Sequence, residues 1–236
     1  MRVAVVTVGD ELLAGEVTNT NAAWLCARLT ERGASVERVA TVPDRVADIA
    51  RVVNEYRAEY DAVVVTGGLG PTHDDVTMEG VAAAVGRSVE EHAAALAWLT
   101  EEGGYAADDL ATGTADLPAG ARFLANDEGV APGAVVDGVY VLPGVPDEME
   151  AMFRRVADEF VGERTHVETV HADEHESALV DRLVALEEEF DATVGSYPGD
   201  HVRLRVRASD PAVAREAAAW LRDRVETAEA DEIDGE

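Results

Sequence analysis

The feature that most limits the fold is a switch of hydrophobic period that repeats three times before residue 87. Residues 3–8 (VAVVTV), 35–42 (SVERVATV) and 61–66 (DAVVVT) read as short strands. Each is followed by apolar residues at helical spacing: Ala22, Leu25, Cys26 and Leu29; then Val46, Ile49, Val53 and Tyr56; then Met78, Val81 and Val85. Gly33 and Gly86 stop the first and third of these helices. Strands that alternate with helices predict an α/β fold with a mainly parallel sheet covered on both faces, hence three layers.

The pattern continues with more strands and one strong helix. Ser88 and Glu91 have the spacing of a capping box, which predicts a helix from there through Trp98. Residues 103–120, rich in Gly, Ala, Asp and Thr, read as loop with room for a short helix. ARFL (121–124) and GAVVDGVYVLPG (133–144) read as strands, the latter a hairpin turning at Asp137-Gly138. Pro146 stands at the first position of a helix carrying Met149, Met152, Phe153, Val156 and Phe160.

This first domain is expected to span residues 1–164. A small α+β domain (165–227) follows: strand HVETVHA, a helix on Leu179, Leu183, Leu186 and Phe190, strands ATVGSY and HVRLRVRA, and a helix after Asp210-Pro211 using Val213, Ala217, Trp220, Leu221 and Val225. In that last strand Val202, Leu204 and Val206 alternate with Arg203, Arg205 and Arg207, as in a sheet covered on one side. Residues 228–236 form an acidic tail.

Charge sets the expected surroundings. The sequence has 48 acidic residues against 19 basic ones, all of them Arg, for a net charge of -29. Such a surface repels itself in dilute salt, and the penalty largely disappears near molar salt, where the screening length is about 3 Å. The expectation is a halophilic, cytoplasmic protein. No apolar run approaches the roughly 18 residues of a membrane span, and the N-terminus lacks a secretory pattern. The single cysteine, Cys26, excludes an internal disulfide, fits a reducing compartment and falls on an apolar stripe. A nucleic-acid partner is not expected, because phosphate contacts need a basic face.

In open parallel sheets ligands bind beyond the carboxyl ends of the strands. Four segments leave strands there: 9–21, 43–45, 67–75 and 142–149. They bring Gly9, Asp10, Glu11, Asn19, Asn21, Asp44, Asp74, Asp75 and the Gly67–Gly70 backbone to one expected crevice. The stretch TGGLGPTHDD (66–75) poses a problem, since bare glycine amides suit a phosphate and adjacent carboxylates repel one. A divalent cation between them resolves it: Mg²⁺ is commonly held by one or two carboxylates plus substrate phosphate oxygens, and could activate water for attack on phosphorus.

Each residue also has a structural reading. Asp44, Asp74 and Asp75 precede helices and serve equally well as N-caps, as do Asn19 and Asn21. The glycines fit a tight turn, and the loop lacks the Lys of a Walker motif. His73 is a candidate proton carrier or hydrogen bonder. His171 and His175 lack a third ligand, so zinc is not expected. Ser-based acyl transfer has no motif here.

The segments GDELLAGEVTNTNAAWLCARL, TGGLGPTHDDVTMEGVA and LPGVPDEMEAMF, in that order, resemble the N-terminal module of CinA (competence/damage-inducible) proteins, which has the molybdopterin-binding MoaB/Mog fold. The second domain, with VGSYPG, resembles the KH-like domain that follows it, without a GXXG loop. The resemblance implies metal-dependent hydrolysis of ADP-ribose or a related, FAD-like dinucleotide pyrophosphate, with Mg, Mn or Co as cofactor. It alternatively implies a molybdopterin-binding protein of cofactor assembly, or a regulatory domain that binds nucleotide without turnover. Carried onto this chain, Asp44 and Asp75 are the catalytic positions. Asp44, Asp74 and Asp75 would hold metal. Gly9, Asp10, Glu11, Asn19, Asn21, Gly67, Gly68, Gly70, Pro71, Thr72, Pro143 and Gly144 would bind substrate. Two departures are visible: no amidase domain is expected after residue 236, and NDEGVAPG (126–133) has Val130 where the family has a hydroxyl. The implied partners are a small nucleotide or pterin phosphate and further copies of the chain in a dimer or trimer, with no nucleic acid and no membrane.

Overall fold

The computed structural model describes residues 1–70, 72, 74–106, 110–162 and 165–227. The chain divides into two compact units, Met1–Gly162 and Glu163–Glu236. In the first, β1 (Arg2–Val8), β2 (Ser35–Val42), β3 (Ala62–Gly67) and β8 (Val139–Pro143) run parallel. β7 (Gly133–Val136) and β6 (Arg122–Leu124) add antiparallel, giving the order β2-β1-β3-β8-β7-β6.

The period of two sorts the central strands onto both faces. Val3, Val5, Val64, Tyr140 and Leu142 face α2 (Thr20–Glu31) and α6 (Pro146–Val156). Val6, Val63, Val65, Val139 and Val141 face α3 (Val46–Glu59), α4 (Thr77–Val85) and α5 (Ala93–Glu101). Most of these strand residues are fully buried, which explains why the sequence shows near-continuous valine runs. The three-layer, mainly parallel α/β sheet is the fold expected. The hairpin turns at Asp137 (φ 46) and Gly138 (φ 80), the left-handed pair that a two-residue turn needs.

Several local expectations are corrected. Ser88 and Glu91 do not cap a helix. β4 (Val89–Glu91) pairs antiparallel with β5 (Asp116–Pro118), and this ladder outcompetes the local capping pattern. The cap of α5 is instead His92, whose Nδ1 accepts the Ala95 N–H at 3.3 Å. A one-turn helix, α1 (Asp10–Ala14), stands where loop was expected, because five residues are too few to show a period. Phe160 lies beyond α6, after a 3₁₀ turn at Ala157–Glu159, yet is fully buried against Phe153 and Tyr140. Cys26 is half-buried rather than central, and burial pushes its thiol upward.

The second unit runs β9 (His166–Ala172), α7 (Glu176–Glu189), β10 (Thr193–Tyr197), β11 (Val202–Ala208) and α8 (Pro211–Arg222). Its antiparallel sheet, ordered β10-β11-β9, packs Val170, Leu204 and Val206 onto Leu179, Leu186, Ala217 and Leu221. Asp210 caps α8 by accepting the Ala212 N–H at 2.7 Å, with Pro211 following. Val225 falls past the end of that helix but still packs on the core.

Candidate functional site

Sheet order places the site before any side chain is considered. From β1 the chain crosses to β2 on one side, and then from β2 to β3 on the other. Connections leave in opposite directions at β1 and β3, the point where open α/β sheets form a crevice beyond the strand ends. A crevice of about 490 Å³ lies there. Its walls come from the end of β1 (Val8, Gly9) with Glu11, from Asp44 after β2, from Gly68, Leu69, Gly70, Asp74 and Asp75 after β3, and from Pro143, Gly144 and Val145 after β8. A second cleft of about 100 Å³ shares Val8, Glu11 and Gly144 and is lined further by Asn19, Asn21 and Thr66.

Most sequence-predicted residues therefore meet at this edge. The exceptions are informative. Asp10 does not line the crevice; its backbone N–H donates to Asp44 Oδ2 at 2.8 Å. Gly67 is the last residue of β3 and underlies the wall, where Gly144 approaches its backbone. Thr72 supports the site from behind, its hydroxyl donating to Asp75 Oδ2. Pro71 and His73 lie outside the described residues.

The capping alternatives separate cleanly. Asn19 is a true N-cap: its Oδ1 accepts the Ala22 N–H at 3.0 Å. Its Nδ2 donates to Thr7 Oγ1 at 2.8 Å and to Thr41 Oγ1 at 3.3 Å, tying α2 to β1 and β2. Asn21 is not a cap. Its Nδ2 donates to the Gly144 carbonyl at 2.7 Å, while its Oδ1 is buried without a partner. Neither Asp44 nor Asp75 caps the helix that follows it: the N-cap positions of α3 and α4 are Arg45 and Val76, whose side chains make no capping bond, and Asp44 instead accepts the first N–H of α1.

Sequence reading missed Glu148. It lines the crevice from α6 and is held by the buried Asn126, whose Nδ2 donates to Glu148 Oε2 at 2.7 Å and to the Ala131 carbonyl at 2.9 Å. The clue lay in LPGVPDEM, one of the four segments, but Glu148 looked like ordinary first-turn acid. Val130 and Ala131 complete an apolar wall.

Electrostatically the crevice is one-sided. Glu11, Asp44, Asp74, Asp75 and Glu148 line it, and no Arg is among its described lining residues. Burial raises the Asp44 carboxyl above its ordinary value, the Asp10 N–H opposes that rise, and the charges of Glu11, Asp10 and Asp74 add to it. The position of Asp75 depends on Gly68, where any Cβ would collide with the Asp75 carboxylate and come within 3.2 Å of its Cα.

Among the described residues no three Asp, Glu, His or Cys side chains form a ready-made metal cage. The donors present are hard carboxylate oxygens under mutual repulsion. They fit a hard divalent cation completed by ligand phosphate oxygens, not one enclosed by protein alone. His171 and His175 form no such group either.

Residues 4–163 match the family model described as "Probable molybdopterin binding domain". A protein of Archaeoglobus fulgidus is 38% identical over 199 residues, covering 84% of this chain and 86% of that one. A CinA-like protein of Citrifermentans bemidjiense is 38% identical over 243 residues, covering 95% of this chain; the chain spans 58% of that relative's length. The crystal structure of CinA, a protein of unknown function from Thermoplasma acidophilum, superposes with a TM-score of 0.63 at 37% identity, over 68% of this chain and 98% of that one. With the crevice at the switch point and the family model spanning most of its length, the chain belongs to the molybdopterin-binding-domain family, among its CinA-like members.

Proposed function

We propose that the first unit hydrolyses a nucleotide pyrophosphate, ADP-ribose or an FAD-like dinucleotide, with the help of a divalent cation. The observation that carries this reading is that Asp44 and Asp75 line the same crevice as the bare Gly68–Gly70 turn. The carboxylates alone would repel a diphosphate. Mg²⁺, Mn²⁺ or Co²⁺ shared between Asp44, Asp74 or Asp75 and the phosphate oxygens would supply the missing positive charge and polarise phosphorus.

The chain's own residues have definite tasks in this reading. Backbone amides of Gly68 and Gly70 receive the diphosphate. Asp44, whose carboxyl burial raises above its ordinary value, takes the proton from an attacking water at Oδ1, and the Asp10 N–H on Oδ2 holds its orientation. Water adds to one phosphorus and the anhydride P–O bond breaks, leaving two phosphate monoesters. Val130, Ala131 and Val145 give one side of the crevice an apolar wall. Asn21 Oδ1, a buried acceptor without a partner, is available to an N–H or O–H of the ligand in the adjoining cleft.

Release of phosphate from the products by an added phosphatase, in molar salt with each metal in turn, tests this reading. Turnover of ADP-ribose or FAD that falls at least 100-fold in Asp75→Asn is expected; no turnover with any metal, or an undiminished Asp75→Asn rate, refutes it.

A second reading is favoured by the family description itself: the crevice binds a pterin phosphate without hydrolysing it. Protein purified from its own host would then carry pterin fluorescence, and a pterin-free preparation counts against it. Saturable, metal-assisted nucleotide binding without product would instead indicate a non-catalytic nucleotide sensor.

A further inference from the structure

The outward face of the second unit's sheet departs from the rest of this acidic chain. Register places Arg203, Arg205 and Arg207 along its middle strand, flanked by Tyr197 and Gly195 on one side and His171 on the other. None of the nine positions on that face is Asp or Glu, in a chain with 48 of them.

Among the described residues twelve other arginines pair with a carboxylate; Arg203, Arg205 and Arg207, like Arg38, Arg215 and Arg224, have no such partner, but only these three stand side by side on one strand. Two of them, Arg207 and Arg203, contact an aromatic ring instead. Arg207 Nη2 donates to the Tyr197 hydroxyl at 3.0 Å, and the Arg203 guanidinium lies 5.8 Å from the ring centre. The local field is positive: the Tyr197 hydroxyl is pulled below its ordinary value, first by that hydrogen bond and then by the charges of Arg207, Arg205 and Arg203.

Gly195 explains how the ring lies. A Cβ there would come within 3.0 Å of Tyr197 Cε2 and 3.2 Å of its hydroxyl oxygen, so the ring leans back across the strand over the glycine. Tyr197 stays 37% exposed. A ring laid over Gly195, with the Arg203 guanidinium over it and Arg207 at its hydroxyl, brings together the aromatic and guanidinium surfaces on which a planar base stacks.

We propose that this face binds single-stranded nucleic acid, one base stacking on Tyr197 and successive phosphates meeting Arg203, Arg205 and Arg207. Alternate residues of a strand are about 7 Å apart, so the three charges span about 13 Å, more than one diphosphate covers. That length favours a strand over a mononucleotide, and the ring favours a base over an acidic peptide. The whole-chain charge of -29 predicted no nucleic-acid partner. As an average it does not describe this face.

The test is fluorescence anisotropy of labelled oligouridylate and oligothymidylate of about ten nucleotides, within the usual range of single-strand site sizes. The intact chain is used, at the lowest salt where its circular dichroism stays folded. Saturable binding is expected. Each of Arg203→Gln, Arg205→Gln and Arg207→Gln should make the log–log salt slope shallower by about 0.7. Tyr197→Ala should weaken binding about 5- to 100-fold while Tyr197→Phe keeps it. The proposal is overturned by any of four results: no saturable signal, equal competition by poly-L-glutamate of matched charge, equal competition by uridine monophosphate, or Tyr197→Ala binding as well as Tyr197→Phe.

Discussion

Asn19 is a candidate ligand side chain that lines the second cleft, and it also ties three elements together. Its Oδ1 caps α2, and its Nδ2 donates to the fully buried Thr7 hydroxyl. Replacing an N-cap Asn by Ala costs about 1 kcal/mol, and losing one further side-chain hydrogen bond costs about 1 kcal/mol more. Asn19→Ala should therefore destabilise the first unit by about 2 kcal/mol in molar salt. For a unit of this size that lowers Tm by roughly 4–8 °C. Asn19→Asp keeps a capping oxygen of equal quality and loses only the donor, so it should cost about half as much. Unfolding can be followed by the fluorescence of Trp24, which sits on α2 with its ring 5.4 Å from that of Phe153. A Trp220→Phe background removes the signal of the second unit. Ligand affinity extrapolated to the folded fraction should change little. A Tm shift below about 1 °C for Asn19→Ala, or equal losses in the two variants, would refute the tie.

Two further outcomes follow from the crevice. Because Asp44's folded value is raised above its reference of 3.8, its contribution to stability is fully present below that value and is lost as pH rises through the raised one. In metal-free buffer Asp44→Asn should thus match the parent near pH 3 and exceed it in Tm at neutral pH; a variant that is less stable at neutral pH contradicts the origin given for the shift. Gly68→Ala forces the Asp75 carboxylate aside, whereas a methyl at Gly144 meets the Gly67 backbone at 3.3–3.5 Å and needs only a few tenths of an ångström. A displacement of about 1 Å can cost roughly 100-fold in rate, so turnover should collapse in Gly68→Ala and fall only a few-fold in Gly144→Ala; equal rates would show that Asp75 needs no fixed position.

The parts of this molecule legible in its sequence were those governed by one local period. Valines at both odd and even positions of β1 and β3 announced strands buried on two faces, and Gly33, Gly86 and Pro146 marked helix boundaries. The crevice followed from topology, since segments leaving four parallel strands must converge. What sequence could not show was pairing at a distance. The Val89–Glu91 ladder depends on residues 116–118, so the capping pattern of Ser88 and Glu91 misled. The Asn19–Thr7–Thr41 tie joins three segments that carry no common motif. Glu148 became a site residue only once Asn126 was seen to hold it.

In a chain with 48 acidic residues, carboxylates at a crevice need a stronger warrant than number. Surface acids here generally face solvent or an arginine. Asp44 instead spends a backbone N–H from Asp10, is partly desolvated, and sits among Glu11, Asp10 and Asp74 with no arginine in the described lining. Asp75 takes the Thr72 hydroxyl and occupies space that any residue but glycine at 68 would fill. The Asp44 arrangement holds negative charge in place at some cost to the folded chain, and screening by salt reduces partly buried repulsion far less than it reduces the surface kind. Adaptation to salt, the expectation raised by the net charge of -29, would account for acid spread over an exterior. It does not account for two oriented carboxylates beside a bare glycine turn, which are what a cation-borne phosphate ligand requires.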